Sequence, residues 1–524
     1  MRSMTRLPSS MQMFPCHLRA AGYYATNNAK EDYNLEHTGT VWDESSNKAH
    51  WRNRKPGQPF FAVFNFLITH ESQLRTRPHT FVHDPAKVRV PAYHPDTPEV
   101  REDWAQYYDN ITTMDGQAAR VLKQLEEDGL ADDTVVFFYG DHGSGMPRNK
   151  RWPYNSGLQV PLIVHIPEKY KHLAPKDYKA GGSSDRLVSF VDLAPTVLSL
   201  ADVKAPPYMQ GQAFLGRYEG PERQHVFGFR GRMDERYDLV RSVRDKRFVY
   251  IRNYMPHKVY GQHLAYMFET PTTQVWKRMY DEGKLQPPKT YFWETKPAEE
   301  LYDLDNDRDE VHNLASSPEH QSILKQLRAA QKDLAFRIRD IGFLPENELH
   351  SRSQGATPYE TGHKDELYPM QKVFAAAELA SSLRKDSLGT LRKALQDSDS
   401  AVRYWAALGI LMRGKEAVMQ SHAELAKCLA DKAPSVQIAA SEALGRYGPV
   451  EEIPNVLQGL LKLSDATNNG VYTAMMALNA LDSMGERAAP VRAAVAKLPG
   501  APKSAPDRTR EYVGRLVTEI TGKQ

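Results

Sequence analysis

Cysteine is almost missing from this chain: its 524 residues contain two, Cys16 and Cys428, far apart in the sequence. Two distant thiols exclude a disulfide framework and a cysteine-based zinc site. A long apolar run is missing too. The longest, Phe60 to Ile68, is broken by Asn65 and is far shorter than the ~20 residues of a membrane-spanning helix. Neither sign of charge dominates, with 68 Lys and Arg against 65 Asp and Glu and a net charge of +3, so no nucleic-acid partner is implied. The opening stretch MRSMTRLPSSMQMFP has no apolar core. It is therefore not a signal peptide, and it does not read as the start of a domain. The KDEL at Lys364 to Leu367 is internal and carries no address. Asp303, Asp305 and Asp307 are spaced like the first ligands of an EF-hand. Position six of that frame is Arg308 rather than glycine and position twelve is Leu314 rather than glutamate, which excludes the loop.

What is present describes a globular protein, 41% hydrophobic and 25% charged, long enough for two or three domains. Residues 59–69 form a near-continuous apolar run, as for a strand buried on both faces. Residues 98–129 carry helical periodicity and close on Gly129. Apolar strands follow at 134–140 and 159–165. Strands alternating with a long helix predict an α/β fold, a mostly parallel sheet sandwiched by helices. A helix at 188–202 comes next. Strand-like alternation over 225–253 and a helix at 317–338 predict a small antiparallel subdomain. Residues 344–370 are polar, with Pro, Gly, Ser and His, and read as a linker.

Beyond the linker the composition shifts to Ala, Leu, Lys and Glu. Three amphipathic segments, at 401–411, 435–445 and 470–481, align on Val402, Val436 and Val471, 34 and 35 residues apart. This spacing looks like that of HEAT repeats, helix pairs stacked into an all-α solenoid, with a capping helix at 507–521. The expected domains are 1–217 and 218–343, the linker 344–370, and the helical repeats 371–524.

The chemistry concentrates after the buried strands. Strand 134–140 ends in Asp141-His142-Gly143, at the C-terminal strand end where open α/β sheets place ligands. A carboxylate there suits a hard cation, calcium or magnesium. Lys150 follows closely, spaced K-x-x-x-Y-x-x-G with Tyr154 and Gly157, and a lysine in this place suits an anionic substrate. Arg148 and Arg151 flank it. His70 ends strand 59–69, where an imidazole can carry a proton near neutral pH. Lys30 and Asp32 sit together in GYYATNNAKEDYN. Trp152 and Tyr154 are placed to border a sugar pocket or to pack.

Taken in order, these segments resemble the sulfatase family of the alkaline-phosphatase-like superfamily, over about residues 15–345. TNNAKEDYN, THES and GDHGSGMPRNKRWPY look most like its heparan N-sulfatase-like branch. The resemblance implies hydrolysis of a sulfuric ester or sulfamate on a sulfated sugar or glycan, and a divalent metal held in part by Asp141 and His142. It also implies that Lys150 and Lys30 face the sulfate and that His70 protonates the leaving atom. Where the family has a histidine as candidate base, this chain has Asp32. The family's nucleophile, a Cys or Ser followed by x-Pro-x-Arg, occurs nowhere in the 524 residues. The expectation is therefore of a chain missing its first strand, inactive as it stands, whose full-length form is periplasmic or secreted. Two other readings stay open: a phosphodiesterase-type member of the superfamily, and a non-catalytic protein binding a protein or glycan through its repeats.

Overall fold

The computed structural model describes residues 4–36 and 39–522. Helix α1 (Phe14–Ala20) leads into β1 (Tyr24–Asn28), which is flanked on both sides by parallel strands. Its neighbours are β2 (Glu44–Ser45) and β3 (Phe60–Phe64), in register Thr26 with Glu44 and Thr26 with Ala62. The aromatic residues of β3 favour extended backbone, and Phe61 and Phe64 pack on Trp42 and Trp51. Helix α2 (Pro98–Glu127) starts on a Thr97 cap, whose hydroxyl accepts from the Val100 amide, with Pro98 in the first turn.

The next strands depart from the expectation. β4 (Val136–Tyr139) and β5 (Leu162–His165) pair antiparallel, Val136 opposite His165, and are separate from the parallel sheet. A parallel return needs a crossover that carries the chain back along the sheet, usually a helix. Here the connection is an irregular loop whose one α-helical turn is Asn155–Leu158, so the chain doubles back. The mostly parallel sheet is thus present only as the three strands β1 to β3. One face of the β4–β5 pair packs on Ile166, Phe214 and helix α3 (Leu193–Leu200). Ile163, on the other face, is 61% exposed.

The antiparallel subdomain is as expected. Strands β6 (Val226–Arg230), β7 (Val240–Arg244), β8 (Phe248–Asn253) and β9 (Glu299–Asp303) form one sheet in that order. Helix α4 (Gln321–Arg337) covers it, burying Leu324 and Leu327 against Val243, Tyr250 and Leu301.

Residues 344–370 are not an open linker. They form two short helices, Glu346–Arg352 and Pro358–Gly362, with Glu346, Glu348 and Leu349 buried. The buried acids are paired: Glu346 with Arg232, Glu348 with Arg352. Helices α5 (Met370–Ser381), α6 (Ser400–Met412), α7 (Pro434–Tyr447), α8 (Val471–Ser483) and α9 (Asp507–Thr521) then pack in series. Shorter helices lie alongside, among them Ile453–Leu463 against α7 and α8. The array shares one core with segments flanking the antiparallel sheet: Leu239, Tyr254, Met255 and Phe343 join Trp405, Leu444 and Leu478. Its Trp405 indole donates to the Phe343 carbonyl at 2.8 Å. No helix among the described residues is long and apolar enough to cross a membrane.

Candidate active site

Two strand ends and one wound loop build the site. After β3 the chain makes a tight turn at Leu67–Thr69, and His70 then caps the turn Glu71–Arg75. The His70 Nδ1 accepts from the Ser72 amide at 3.3 Å and lies 2.9 Å from the Ser72 hydroxyl. In the neutral ring this leaves the proton on Nε2. Burial lowers the basicity of His70, and Lys150, Lys30 and His142 add to the effect while Glu71 opposes it. Lys150, Lys30, His142 and Glu71 are thus each within electrostatic reach of His70.

The second strand end supplies Asp141 and His142. The His142 Nδ1 donates to the Gly143 carbonyl at 2.6 Å, which leaves the Nε2 lone pair available. That nitrogen lies 3.5 Å from Asp141 Oδ2, and the Asp141 side chain is 74% exposed. Together they offer a cation one imidazole and one carboxylate. No group of three or more His, Cys, Asp or Glu that could hold a metal occurs among the described residues. Calcium takes about six to eight oxygen ligands, so these side chains alone do not fit it.

The loop after His142 is wound tightly. A side chain at Gly157 would put its Cβ 2.2 Å from the Asn149 carbonyl oxygen, which is why glycine closes the K-x-x-x-Y-x-x-G spacing. At Gly145 a Cβ would lie 2.3 Å from Glu71 Cβ and 2.6 Å from its Cα, so that glycine lets the loop close on residue 71. Gly145→Ala is expected to destabilise the fold by about 1–3 kcal/mol, as overpacking does, measured as a drop in melting temperature.

Closure brings Lys150 to Glu71, with Nζ 3.2 Å from Oε1. Arg151 grips the same carboxylate with two nitrogens, each at 2.8 Å. Burial pushes Glu71 up, but Arg151 and Lys150 outweigh it and hold the carboxyl below its ordinary value. Burial lowers the Lys150 ammonium, opposed by Glu71. Arg148 is a packing residue: buried, it donates to the Glu310 carbonyl at 2.7 Å and lies over the rings of Tyr93 and Tyr154. Trp152 and Tyr154 are buried too. Their polar atoms are spent on the Tyr260 carbonyl and on Glu300, so they pack rather than border a sugar pocket. Tyr266 lies beside His70 instead, ring centres 6.4 Å apart, with the Arg75 guanidinium over its face.

Lys30 is exposed. The Asp32 carboxylate lies 3.6 Å from the Arg508 guanidinium of α9. Glu71, absent from the sequence-predicted site residues, is central to the site, and so is Arg151, which in the sequence stands only as a flank of Lys150. The one local signal was the carboxylate directly after His70.

Residues 12–203 match the sulfatase family model. An ulvan-active sulfatase of Formosa agariphila is 42% identical over 379 residues, 65% of this chain and 62% of that protein. A second ulvan-active sulfatase of the same organism is 33% identical over 43% of this chain and 41% of its own length. Human N-sulphoglucosamine sulphohydrolase is 29% identical over 47% and 50% respectively. The chain thus spans between about two fifths and three fifths of these relatives. Over residues 12–203, the chain is similar to the sulfatase family.

Proposed function

We propose that this site holds the sulfate group of a sulfated sugar or glycan, as part of a sulfuric ester or sulfamate hydrolase. The observation that carries the reading is that Lys150 and Lys30 both act electrostatically on His70, with the Lys150 ammonium held 3.2 Å from the carboxylate of Glu71, the residue after His70. Lys150 has three donors, one directed at Glu71, leaving two for sulfate oxygens. His70 presents its proton to the atom that leaves sulfur as the S–O or S–N bond breaks. Asp32 is the proton acceptor this reading assigns to the Lys30 loop. No residue of the chain is assigned as the group that attacks sulfur.

Asp141 and His142 would be two donors of a divalent metal, calcium or magnesium, completed by water and substrate oxygens. When bound, such an ion would neutralise charge on the sulfate. The named relatives support a sulfated carbohydrate as the substrate class, and the human one favours the N-sulfatase-like branch. We further propose a HEAT-like solenoid over 371–524 as a contact for glycan or protein, following the units 1–217 and 218–343 and sharing a core with the second of them. The family resemblance supports an exported location.

The reading separates binding from turnover. The 524-residue chain should bind inorganic sulfate and release no nitrophenol from 4-nitrophenyl sulfate. Turnover abolished by Lys150→Ala would show that the chain carries an attacking group and overturn the expected inactivity. Absence of sulfate binding would overturn the site. Affinity should also depend on pH. Burial and the neighbouring cations keep His70 below 6.5 in the free protein, whereas a bound dianion favours its protonated form. Sulfate binding should therefore take up a proton, and affinity should rise as pH falls toward the lowered His70 value of the free protein. Calorimetry in buffers of different ionisation enthalpy reads the proton directly.

A further inference from the structure

The reading above places Lys150 on the sulfate, but the chain of contacts behind Lys150 does not stop in the family-matched region. The Glu71 carboxylate, 2% exposed, links Lys150 to Arg151. The Arg151 Nε then donates to Asp234 Oδ2 at 3.3 Å, at the tip of the 231–236 turn. The other oxygen of Asp234 accepts from the Tyr512 hydroxyl at 3.1 Å. Tyr512 is a buried residue of α9, the last helix.

The turn itself is clamped from below. Arg232, buried, donates to the Asp234 carbonyl and to Glu346, and its guanidinium lies 5.5 Å from the Tyr512 ring. Helix α9 also meets neighbouring segments through Arg515 with Glu235 at 3.6 Å and Glu519 with His263 at 2.9 Å. On the Lys30 loop, Arg508 of α9 pairs with Asp32 at 3.6 Å. One helix, more than three hundred residues away in sequence from the family-matched segment, thus reaches both loops that carry the lysines of the site.

We propose that α9 is a positioning element of the sulfate site. It sets the Lys150 ammonium through the relay Tyr512, Asp234, Arg151, Glu71, and it fixes the Lys30 loop through Arg508. The physical basis is the flexibility of lysine. Four rotatable bonds let an unsupported ammonium wander, and ordering it costs entropy. A relay whose members are mutually bonded, with Tyr512, Arg151 and Glu71 buried and Asp234 partly so, restricts it before the ligand arrives. The coupling must be reciprocal: if docked α9 tightens sulfate binding, bound sulfate tightens α9 by the same factor.

The inference rests on the proposed sulfate site, and the test separates the two. Inorganic sulfate is titrated into the full chain by calorimetry, with chloride at matched ionic strength as control. Amide hydrogen exchange is followed with and without sulfate. Tyr512→Phe keeps the ring and removes one hydroxyl, worth about a five-fold loss of sulfate affinity if its bond supports the site. In the native chain, sulfate should slow exchange over 507–521 as well as over 141–155. Native-like sulfate affinity in Tyr512→Phe, with exchange in α9 indifferent to sulfate while Lys150→Ala abolishes binding, overturns the inference and leaves the site standing. Equal sulfate binding by Lys150→Ala and the native chain overturns the site reading itself. Should Tyr512→Phe fold poorly, the exchange measurement on the native chain decides alone.

Discussion

Glu71→Ala is expected to lower the unfolding free energy by about 3–5 kcal/mol, the cost of removing one partner from a buried ion pair. The carboxylate is buried between Lys150 and Arg151, and Arg151 is itself almost fully buried. Without it, a desolvated guanidinium keeps only the Asp234 contact at 3.3 Å. Equilibrium urea unfolding of native and variant chains checks the size of the loss. Glu71→Gln should cost less, because the amide still accepts a hydrogen bond. The sign of the pH dependence follows from the lowered carboxyl. With its folded value below the ordinary 4.5, Glu71 contributes stability that is present above about pH 4.5 and lost as pH falls through the folded value. The stability gap between native and Glu71→Gln chains should therefore shrink in acid.

Lys150→Ala is expected to weaken sulfate binding by about ten- to a hundred-fold, the range for a hydrogen bond between charged partners. Stability should change far less than in Glu71→Ala, because Arg151 still holds the carboxylate with two bonds at 2.8 Å. Lys150→Arg should not restore full affinity. A planar fork presents its donors in another geometry, and it competes for the carboxylate that Arg151 already occupies. Calorimetric titration with inorganic sulfate at fixed ionic strength distinguishes these outcomes.

One strand end was legible in the sequence for a simple reason. β4 is a short apolar segment followed after Gly140 by Asp141-His142, and polarity changes abruptly at the rim of a sheet. β3, by contrast, ends at Phe64, and His70 lies six residues on, beyond the turn Leu67–Thr69, rather than at the strand's end. Strand direction was not legible. Alternation and composition say nothing about which neighbour a strand pairs with, so β4 and β5 read as members of a parallel sheet until their antiparallel register was seen. Residues 344–370 read as a linker in sequence because they are polar, with Pro, Gly, Ser and His. Glu346 and Glu348 are buried on arginines, and Arg232, more than one hundred residues earlier, gives no local hint of this. The centre of the site was hidden in the same way. Glu71 gains meaning only when the loop carrying Lys150 and Arg151 closes on it, with Gly145 allowing the approach. Tyr512 and Arg508 lie on an ordinary amphipathic helix, and only the packing of the helical array carries them to Asp234 and Asp32.

The measurement that tests the account most directly compares a sulfated monosaccharide with its desulfated parent, each titrated into the full chain, with inorganic sulfate as competitor. The account predicts that the sulfated sugar binds at least about ten-fold more tightly, as charge-assisted contacts to sulfate require. It also predicts that inorganic sulfate displaces the sugar and that Lys150→Ala erases the difference. Equal affinity for the two sugars, or a preference that survives loss of Lys150, would contradict it.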